Sequence, residues 1–254
     1  MSPSLETRGL TIRFGGHVAV DHVSCAFRPG ELTAIVGPNG AGKTTYFNLV
    51  SGQLAASAGS VLVNGQDVTR LGAPGRARLG VGRAFQLTNL FPRLSVAENV
   101  RLAVQAHAGA HYDMLHMWRA DRQIIRRADA VLESVGLAGR RGVLAATLSH
   151  GDQRKLEVAM MMALEPAIYM FDEPTAGMSV DEAPIVLDLI ARLKADASKT
   201  ILLVEHKMGV VRSLADRIVV LVNGQLAADG DPASVIASPI VQEAYLGAAP
   251  GKAA

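Results

Sequence analysis

The feature that constrains this chain most is a glycine-rich segment between a strand pattern and a helix pattern. Leu32 to Val36 is typical of a short buried strand, and Lys43 to Ser51 is typical of a helix. The residues between them complete the run Gly37-Pro-Asn-Gly-Ala-Gly-Lys43-Thr44, which has the spacing of a phosphate-binding P-loop. A strand that passes through such a turn into a helix is a βα unit, so the segment predicts an α/β fold. A plain glycine-rich turn is the alternative interpretation.

The composition of this turn suits a nucleotide triphosphate bound with Mg²⁺. Glycine allows consecutive backbone N–H groups to curl around phosphate oxygens, and the helix N-terminus adds positive potential. Lys43 can reach the outer phosphates, and the Thr44 hydroxyl can bind the metal. We therefore predict that ATP and Mg²⁺ are held here by Gly37, Pro38, Asn39, Gly40, Ala41, Gly42, Lys43, Thr44 and Thr45.

Two adjacent acids follow a second buried strand pattern. Ile168 to Phe171 is apolar, and Asp172 and Glu173 come directly after it. A carboxylate at the end of a buried strand can hold magnesium through water, so Asp172 is predicted to be a metal ligand together with Thr44. Glu173 is placed to polarise the water that attacks the γ-phosphate. Adjacent acids can instead begin a turn or cap a helix, and the pattern alone leaves this open.

Further strand patterns predict a mainly parallel core sheet with an antiparallel β edge. Apolar positions alternate through the opening residues, which predicts antiparallel strands joined at Gly15 and Gly16. Short strands are also predicted at Ser60 to Val63, Val81 to Phe85, Thr200 to Val204 and Arg217 to Val222. Strands that alternate with helices in this way favour a parallel sheet covered by helices on both faces.

Helical patterns predict a separate subdomain. Ser95 and Glu98 form a capping box at the start of a helical region that ends near Leu164, and Ser179 and Glu182 can cap a later helix. We predict a single domain over residues 1–254. Its catalytic core with the β edge comprises 1–94 and 165–246, its helical subdomain comprises 95–164, and 247–254 form a loose tail.

Composition narrows the possible partners. The apolar runs are strand-sized and fall short of the roughly 20 residues that cross a bilayer. The first residues lack the pattern of a secretory signal, so the cytosol is the expected compartment. A net charge of only +2 gives no strong field for nucleic acid, and no nucleic-acid partner is expected. The single cysteine, Cys25, is predicted to be a small core residue.

The segment Leu148-Ser149-His150-Gly151-Asp152-Gln153 resembles the signature of the ABC ATPases. In that family this element closes over the nucleotide of the opposite subunit, so the resemblance implies that Ser149 and Gly151 contact ATP in trans. A plain helix cap by Ser149 is the alternative interpretation, although it does not explain the order of the motifs. The commonest signature has Gly and Gln where this chain has His150 and Asp152, and the family usually has Asp where this chain has Ser179.

Three further residues resemble functional residues of this family. Gln86 resembles the glutamine that senses magnesium and the attacking water, and His206 resembles the histidine that contacts the γ-phosphate. The resemblance therefore implies catalytic roles for Glu173, His206 and Gln86, with Gln86 also a metal ligand. Phe14 resembles the aromatic residue that stacks on adenine. Polar loop residues at Gln86 and His206, and a core phenylalanine at Phe14, remain alternatives.

Longer segments resemble the ATPases of the branched-chain amino acid importers. They are Phe14-Gly-Gly-His-Val-Ala-Val-Asp21, Thr45-Tyr-Phe-Asn48, Glu173-Pro-Thr-Ala-Gly-Met, Val204-Glu-His-Lys-Met-Gly-Val-Val211 and the end Ala244-Tyr-Leu-Gly247, with a lengthened helical region at Gly109 to Arg127. The resemblance implies a peripheral protein on the cytoplasmic face of the inner membrane. Its partners would be two transmembrane permease subunits, a second ABC ATPase that is identical or paralogous, and indirectly a substrate-binding protein.

The same motifs are compatible with other functions. Related ATPases serve urea or amide import and lipid or lipopolysaccharide export, and a non-transport ABC ATPase acting on DNA or ribosomes belongs to a different class. The region Leu87 to Asn99 is predicted to form a groove for a membrane subunit, lined by Leu90, Phe91 and Leu94. These apolar residues can instead pack inside the helical subdomain.

Overall fold

The structure is a computed structural model that describes residues 2–84, 90–108, 122–239 and 241. The chain divides into two compact units. The first unit comprises Met1–Arg83, Ala167–Glu173 and Leu193–Ala254, and the second comprises Ala84–Pro166 and Pro174–Arg192. The predicted division into core, helical subdomain and tail stays a prediction.

Ten strands are present among the described residues. They are β1 (Leu5–Phe14), β2 (His17–Phe27), β3 (Leu32–Val36), β4 (Ala58–Val63), β5 (Gln66–Asp67), β6 (Val81–Ala84), β7 (Ile168–Asp172), β8 (Thr200–Val204), β9 (Arg217–Val222) and β10 (Gln225–Gly230). A four-stranded sheet has the order β2-β1-β4-β5, and a six-stranded sheet has the order β10-β9-β3-β8-β7-β6. The predicted strands are confirmed, apart from Phe85, which lies outside the described residues.

The four-stranded sheet is the predicted antiparallel edge. Strands β1 and β2 pair antiparallel, and Phe14 lies opposite His17 at the end that Gly15 and Gly16 close. Strand β1 also pairs antiparallel with β4. Cys25 on β2 is buried as predicted, and burial raises the pKa of its thiol to about 11.

The six-stranded sheet carries the parallel core. Strand β3 pairs parallel with both β8 and β9, and β8 pairs parallel with β7. Every residue of β3, β7 and β8 is buried, which is typical of parallel strands that are covered on both faces. Strand β10 is antiparallel to β9 and ends the sheet on that side.

Eight α-helices have both ends among the described residues. They are α1 (Lys43–Ser51), α2 (Ala73–Arg78), α3 (Val96–His107), α4 (Arg122–Ser134), α5 (His150–Leu164), α6 (Ala183–Lys194), α7 (Met208–Leu214) and α8 (Pro232–Ala237). None of them is long and apolar enough to cross a bilayer. Helix α1 has the predicted bounds, and its aromatic residues Tyr46 and Phe47 are fully buried in the core of the first unit.

The second unit is built on the mutual packing of α3, α4 and α5. The predicted capping box is confirmed, since the Ser95 hydroxyl accepts a bond from the Glu98 amide and the Glu98 carboxylate accepts one from the Ser95 amide. The reciprocal bonds between Ser179 and Glu182 also form. The helix itself begins only at Ala183, so the predicted start is corrected by one turn. A proline at position 184 suits the first turn of a helix, because proline has no N–H to be satisfied there.

A fully buried arginine fixes the C-terminal end of α1. Arg76 on α2 donates to the carbonyl oxygens of Leu49 and Val50 in the last turn of α1, at 2.5 and 2.7 Å. It also donates to the carbonyls of Thr69 and Leu71. Unpaired carbonyls at the end of a buried helix destabilise the fold, so Arg76 holds α1 in place against its surroundings.

We predict that Arg76→Ala lowers the free energy of unfolding by about 3 kcal/mol, since buried carbonyls lose their partner. Urea denaturation followed by circular dichroism measures this change. Arg78→Ala is the matched control, because Arg78 is exposed on the same helix, and its effect should stay within about 0.5 kcal/mol. Equal losses for the two variants would contradict the role of Arg76.

Candidate functional site

The carboxyl ends of β3, β8 and β7 bring the predicted loops to one edge of the sheet. Ile35 of β3 lies opposite Val204 of β8, and Val204 lies opposite Asp172 of β7. The chain reaches Gly37 two residues after Ile35, His206 two residues after Val204, and Glu173 one residue after Asp172. Because the three strands are parallel and in register at this level, their following loops meet at one edge of the first unit.

The predicted P-loop is closed around its own lysine. The Lys43 ammonium donates to the carbonyl oxygen of Gly37 at 2.7 Å and to that of Pro38 at 2.9 Å. Burial lowers the pKa of Lys43, and the negative charges of Glu173 and Asp172 oppose this effect. The Lys43 side chain, on the first residue of α1, is therefore bonded back to the loop that precedes this helix.

An open cavity of about 450 Å³ lies against this loop. It is lined by residues 39–45 together with Phe14, His17, Ala19, Glu173 and His206. This volume suits a ligand the size of a nucleotide. Phe14 is 50% exposed, so it is not a core phenylalanine, and its stacking on a base stays a prediction. His17, which faces Phe14 across the β1–β2 hairpin, is a lining residue that the sequence analysis did not identify.

Asp172 is buried at the end of β7 and meets a buried arginine. The Arg83 guanidinium donates through Nη2 to Asp172 Oδ2 at 2.7 Å. The other carboxylate oxygen, Oδ1, is buried and has no hydrogen-bond partner among the described residues. Burial raises the pKa of Asp172, and the charge of Arg83 opposes this rise. An orphaned buried oxygen is rare in proteins, and it fits a carboxylate that serves a metal ion or its water.

Glu173 and His206 form a contact at the cavity. His206 Nε2 lies 2.6 Å from Glu173 Oε1. The backbone of Glu173 has a φ of +50°, and its N–H donates to the Val204 carbonyl at 3.0 Å. A left-handed backbone costs a non-glycine residue about 1–2 kcal/mol, and such strain is concentrated at functional sites. Together with Lys43, this pair can bind a polyphosphate and activate a water molecule.

The segment with Ser149 and Gly151 lies in the second unit. The Ser149 hydroxyl caps α5 by accepting a bond from the Asp152 amide at 3.2 Å. A Cβ on Gly151 would lie 2.3 Å from Glu182 Oε1, so a larger residue here would displace the Glu182 side chain. Asp152 forms ion pairs with Arg140 and Lys155, both at 2.9 Å, which fix the start of the helix.

Several predicted residues are not described by the structure. Gln86 and Leu87 lie outside the described residues, as do most of the lengthened region from Gly109 to Arg127 and the tail. Phe14, the P-loop, Asp172, Glu173 and His206 all belong to the first unit, whereas Ser149 and Gly151 belong to the second. The structure therefore brings the first group together, and the contribution of the second group stays a prediction.

Sequence comparison identifies close similarity to known proteins. The family described as ABC transporter matches residues 20–176. The high-affinity branched-chain amino acid transport ATP-binding protein LivG of Escherichia coli K12 is 39% identical, over 97% of this chain and 99% of its own length. The corresponding protein BraF of Pseudomonas aeruginosa is 38% identical with the same coverage. The methionine import ATP-binding protein MetN of Caulobacter vibrioides is 37% identical, over 93% of this chain and 72% of its own length.

Solved structures show the same fold. An ATP-binding cassette of an ABC transporter in its ADP conformation has a TM-score of 0.82 and 28% identity, covering 97% of this chain and 99% of that one. A nucleotide-free cassette from an ABC transporter has a TM-score of 0.83 and 27% identity, covering 97% of this chain and 100% of that one. The predicted P-loop cassette fold is thereby confirmed.

The P-loop glycines differ in the space that surrounds them, and this predicts a graded response to alanine. A Cβ on Gly37 would lie 2.1 Å from the Leu221 carbonyl oxygen, and one on Gly42 would lie 2.4 Å from that of Ala19. We expect Gly37→Ala and Gly42→Ala each to lower the free energy of unfolding by more than about 2 kcal/mol, because backbone must move. Urea denaturation measures the losses.

Gly40→Ala is the matched control for the two clashing positions. Gly40 also has a positive φ, +79°, but a Cβ there meets nothing within 4 Å. Gly40→Ala should lower the free energy of unfolding by only about 1 kcal/mol, because only the backbone conformation is unfavourable for alanine. If Gly40→Ala were as damaging as Gly42→Ala, close packing would not be the reason for glycine in this loop.

Proposed function

The chain belongs to the ABC transporter family, and on that premise we propose that it is the ATP-binding and ATP-hydrolysing subunit of an importer for branched-chain amino acids or related small solutes. LivG and BraF are named for branched-chain amino acid transport, and they align with nearly the whole chain. MetN, named for methionine import, supports the wider class of small solutes. The proposal that the chain hydrolyses ATP rests on one observation, which is that Lys43, Glu173 and His206 line the same cavity.

The triphosphate binds in the loop from Gly37 to Thr45. Backbone N–H groups at the start of α1 and the Lys43 ammonium provide the positive charge that phosphate oxygens require. Lys43 exchanges its bonds to the Gly37 and Pro38 carbonyls for bonds to phosphate. The half-exposed ring of Phe14, which lines the same cavity, stacks on the adenine.

Magnesium is held with the nucleotide by Thr44 and Asp172. The buried Asp172 Oδ1 without a hydrogen-bond partner among the described residues fits this ligand, and Thr44 is exposed at the cavity. When bound, the ion neutralises charge on the β- and γ-phosphates. Gln86, beyond the described residues, is proposed as a further ligand by family resemblance.

Hydrolysis uses Glu173 as the base. Its carboxylate accepts a proton from the water that attacks the γ-phosphorus, and ADP leaves on the opposite side. His206, in contact with the same carboxylate at 2.6 Å, orients it and faces the γ-phosphate. Gln86 is proposed to help orient the attacking water. Hydrolysis thus has a base in Glu173 and a group that orients this base in His206.

A second ABC ATPase subunit completes the site. We assign Ser149 and Gly151 to contact the nucleotide of the partner through the N-terminus of α5, where the dipole favours a phosphate. Asp152 replaces the usual glutamine, and its ion pairs with Arg140 and Lys155 support the helix start instead. The two subunits would close over two ATP molecules and separate after hydrolysis.

Two permease subunits are the proposed membrane partners, which places the chain peripherally at the cytoplasmic face of the inner membrane. Phe91 is 49% exposed, and Leu90 and Leu94 are half-buried. Asn99 fixes the loop, because it accepts from the Phe91 amide and donates to the Phe91 carbonyl. An exposed aromatic ring on a fixed loop suits a protein interface, and a substrate-binding protein takes part indirectly.

We predict that Lys43→Ala and Glu173→Gln separate binding from turnover. Lys43→Ala should weaken ATP binding at least about tenfold, since a charge-assisted contact is lost. Glu173→Gln should keep ATP binding, lower turnover by about 100-fold or more, and trap an ATP-bound dimer. Fluorescent-nucleotide titration, phosphate release and size-exclusion chromatography measure the three effects.

Glu133→Gln is the control for this pair, because Glu133 is an exposed carboxylate on α4. It should behave as the unsubstituted protein in all three assays. Normal hydrolysis by the Glu173→Gln protein would remove Glu173 as the base. Failure of the unsubstituted protein to release phosphate from ATP would remove the proposed function.

We also predict that Phe91→Asp disrupts co-purification with small, very hydrophobic membrane subunits. A buried charge at an interface core is costly, so recovery of the complex should fall about tenfold or more. Leu226→Asp is the matched control, since Leu226 is an exposed apolar residue of the first unit. Equal recovery with Phe91→Asp and Leu226→Asp would contradict the assignment of this surface.

A further inference from the structure

Arg83 is a buried cation in the first unit whose purpose is not evident from the motifs. It lies on β6, which neighbours β7 in the sheet. Its side chain is only 7% exposed, and the Asp172 side chain that it contacts is fully buried. Burying two charges costs free energy unless the geometry and the remaining hydrogen bonds are good. Stability of the fold therefore does not by itself explain the Arg83–Asp172 pair. The groups that Arg83 holds in position are the other possible reason for it.

Nη1 of the guanidinium is anchored to α1 and the turn after it. Nη1 donates to Asn48 Oδ1 at 2.7 Å, to Ser51 Oγ at 2.9 Å and to Gln53 Oε1 at 3.0 Å. The guanidinium carbon also lies 5.5 Å from the centre of the Phe47 ring. The part-buried contacts with Asn48 and Ser51 and the Phe47 ring hold this planar group in one orientation, whereas the contact with Gln53 is exposed. Nη2 therefore points at Asp172 in a defined direction.

Arg83 engages only one oxygen of the carboxylate. Nη2 donates to Oδ2, whereas Oδ1 is buried and has no hydrogen-bond partner among the described residues. Bidentate pairing, which is common between arginine and a carboxylate, would have occupied both oxygens. The single contact restrains the Asp172 carboxylate through Oδ2 and leaves the buried Oδ1 without a hydrogen-bond partner among the described residues.

We propose that Arg83 is a positioning residue for the metal–nucleotide site. It fixes Asp172 through Oδ2 so that Oδ1 serves the Mg²⁺ that accompanies ATP, and it ties this carboxylate to α1, the helix that begins with Lys43 and Thr44. Partners that orient a metal ligand typically change metal affinity when they are removed. This inference rests on the proposed function.

The test measures metal binding separately from nucleotide binding. Mn²⁺ replaces Mg²⁺ as the probe and is titrated by electron paramagnetic resonance in the presence of a non-hydrolysable ATP analogue. A fluorescent ATP analogue is titrated without divalent metal, and thermal unfolding is recorded in parallel. The variants are Arg83→Gln, Arg83→Lys and the control Gln53→Ala, which loses one acceptor of Nη1 but leaves the contact between Arg83 and Asp172 in place.

We expect Arg83→Gln to lower Mn²⁺ affinity by about 10- to 100-fold while metal-free nucleotide binding stays unchanged. Arg83→Lys keeps the positive charge but not the planar guanidinium, and it should lose less Mn²⁺ affinity than Arg83→Gln. Gln53→Ala should bind Mn²⁺ as the unsubstituted protein does. If Arg83→Gln does not fold, the comparison of Arg83→Lys with Gln53→Ala carries the same test.

Two results overturn the inference. One is an Arg83→Gln or folded Arg83→Lys protein that binds Mn²⁺ as tightly as the control or more tightly. The other is a parallel loss of metal-free nucleotide binding and of thermal stability, which indicates a purely structural role. An unsubstituted protein that binds neither nucleotide probe overturns the proposed function itself, and this outcome is seen before any variant is compared.

Discussion

The pairing of three buried parallel strands is the constraint on which the rest of the site depends. Strands β3, β8 and β7 are buried along their whole length, and Ile35, Val204 and Asp172 lie at the same level across them. A shift of one residue in this register would send each following loop to a different height and reverse the face of every side chain. The P-loop, the adjacent acids and His206 therefore share one edge because the core fixes the register.

Two buried cations at this edge are paired in different ways. Lys43 is satisfied by carbonyl oxygens of its own loop, which are weak partners that phosphate oxygens can replace. Arg83 is instead committed to Asp172 and to acceptors on and after α1. The site thus combines a cation that is bonded to neutral carbonyl oxygens with one that is ion-paired to a buried carboxylate. Such a division would suit the proposed nucleotide site, in which the nucleotide is bound and released while Asp172, the proposed metal ligand, keeps one orientation.

The sequence could predict what depends on local pattern. The P-loop spacing, the bounds of α1, the strands Thr200–Val204 and Arg217–Val222 and the capping box at Ser95 all follow from periodicity and turn chemistry, and the structure has them as predicted. Arg83 could not be identified, because its contact with Asp172 arises from the neighbouring positions of β6 and β7, which are far apart in sequence. One available signal was an arginine inside an otherwise apolar or small-residue strand. The start of α6 was misplaced because the Ser179–Glu182 bonds form on a turn that precedes the helix.

The proposed site depends on a triphosphate bound in the loop that ends at Lys43. A crystal structure of the chain with a non-hydrolysable ATP analogue and Mg²⁺ tests this binding. We expect the outer phosphates to lie against the backbone N–H groups at the start of α1, and the Lys43 ammonium to have left the Gly37 and Pro38 carbonyls to contact them. A nucleotide bound elsewhere, or a Lys43 that keeps both carbonyl bonds while the loop is occupied, would contradict it.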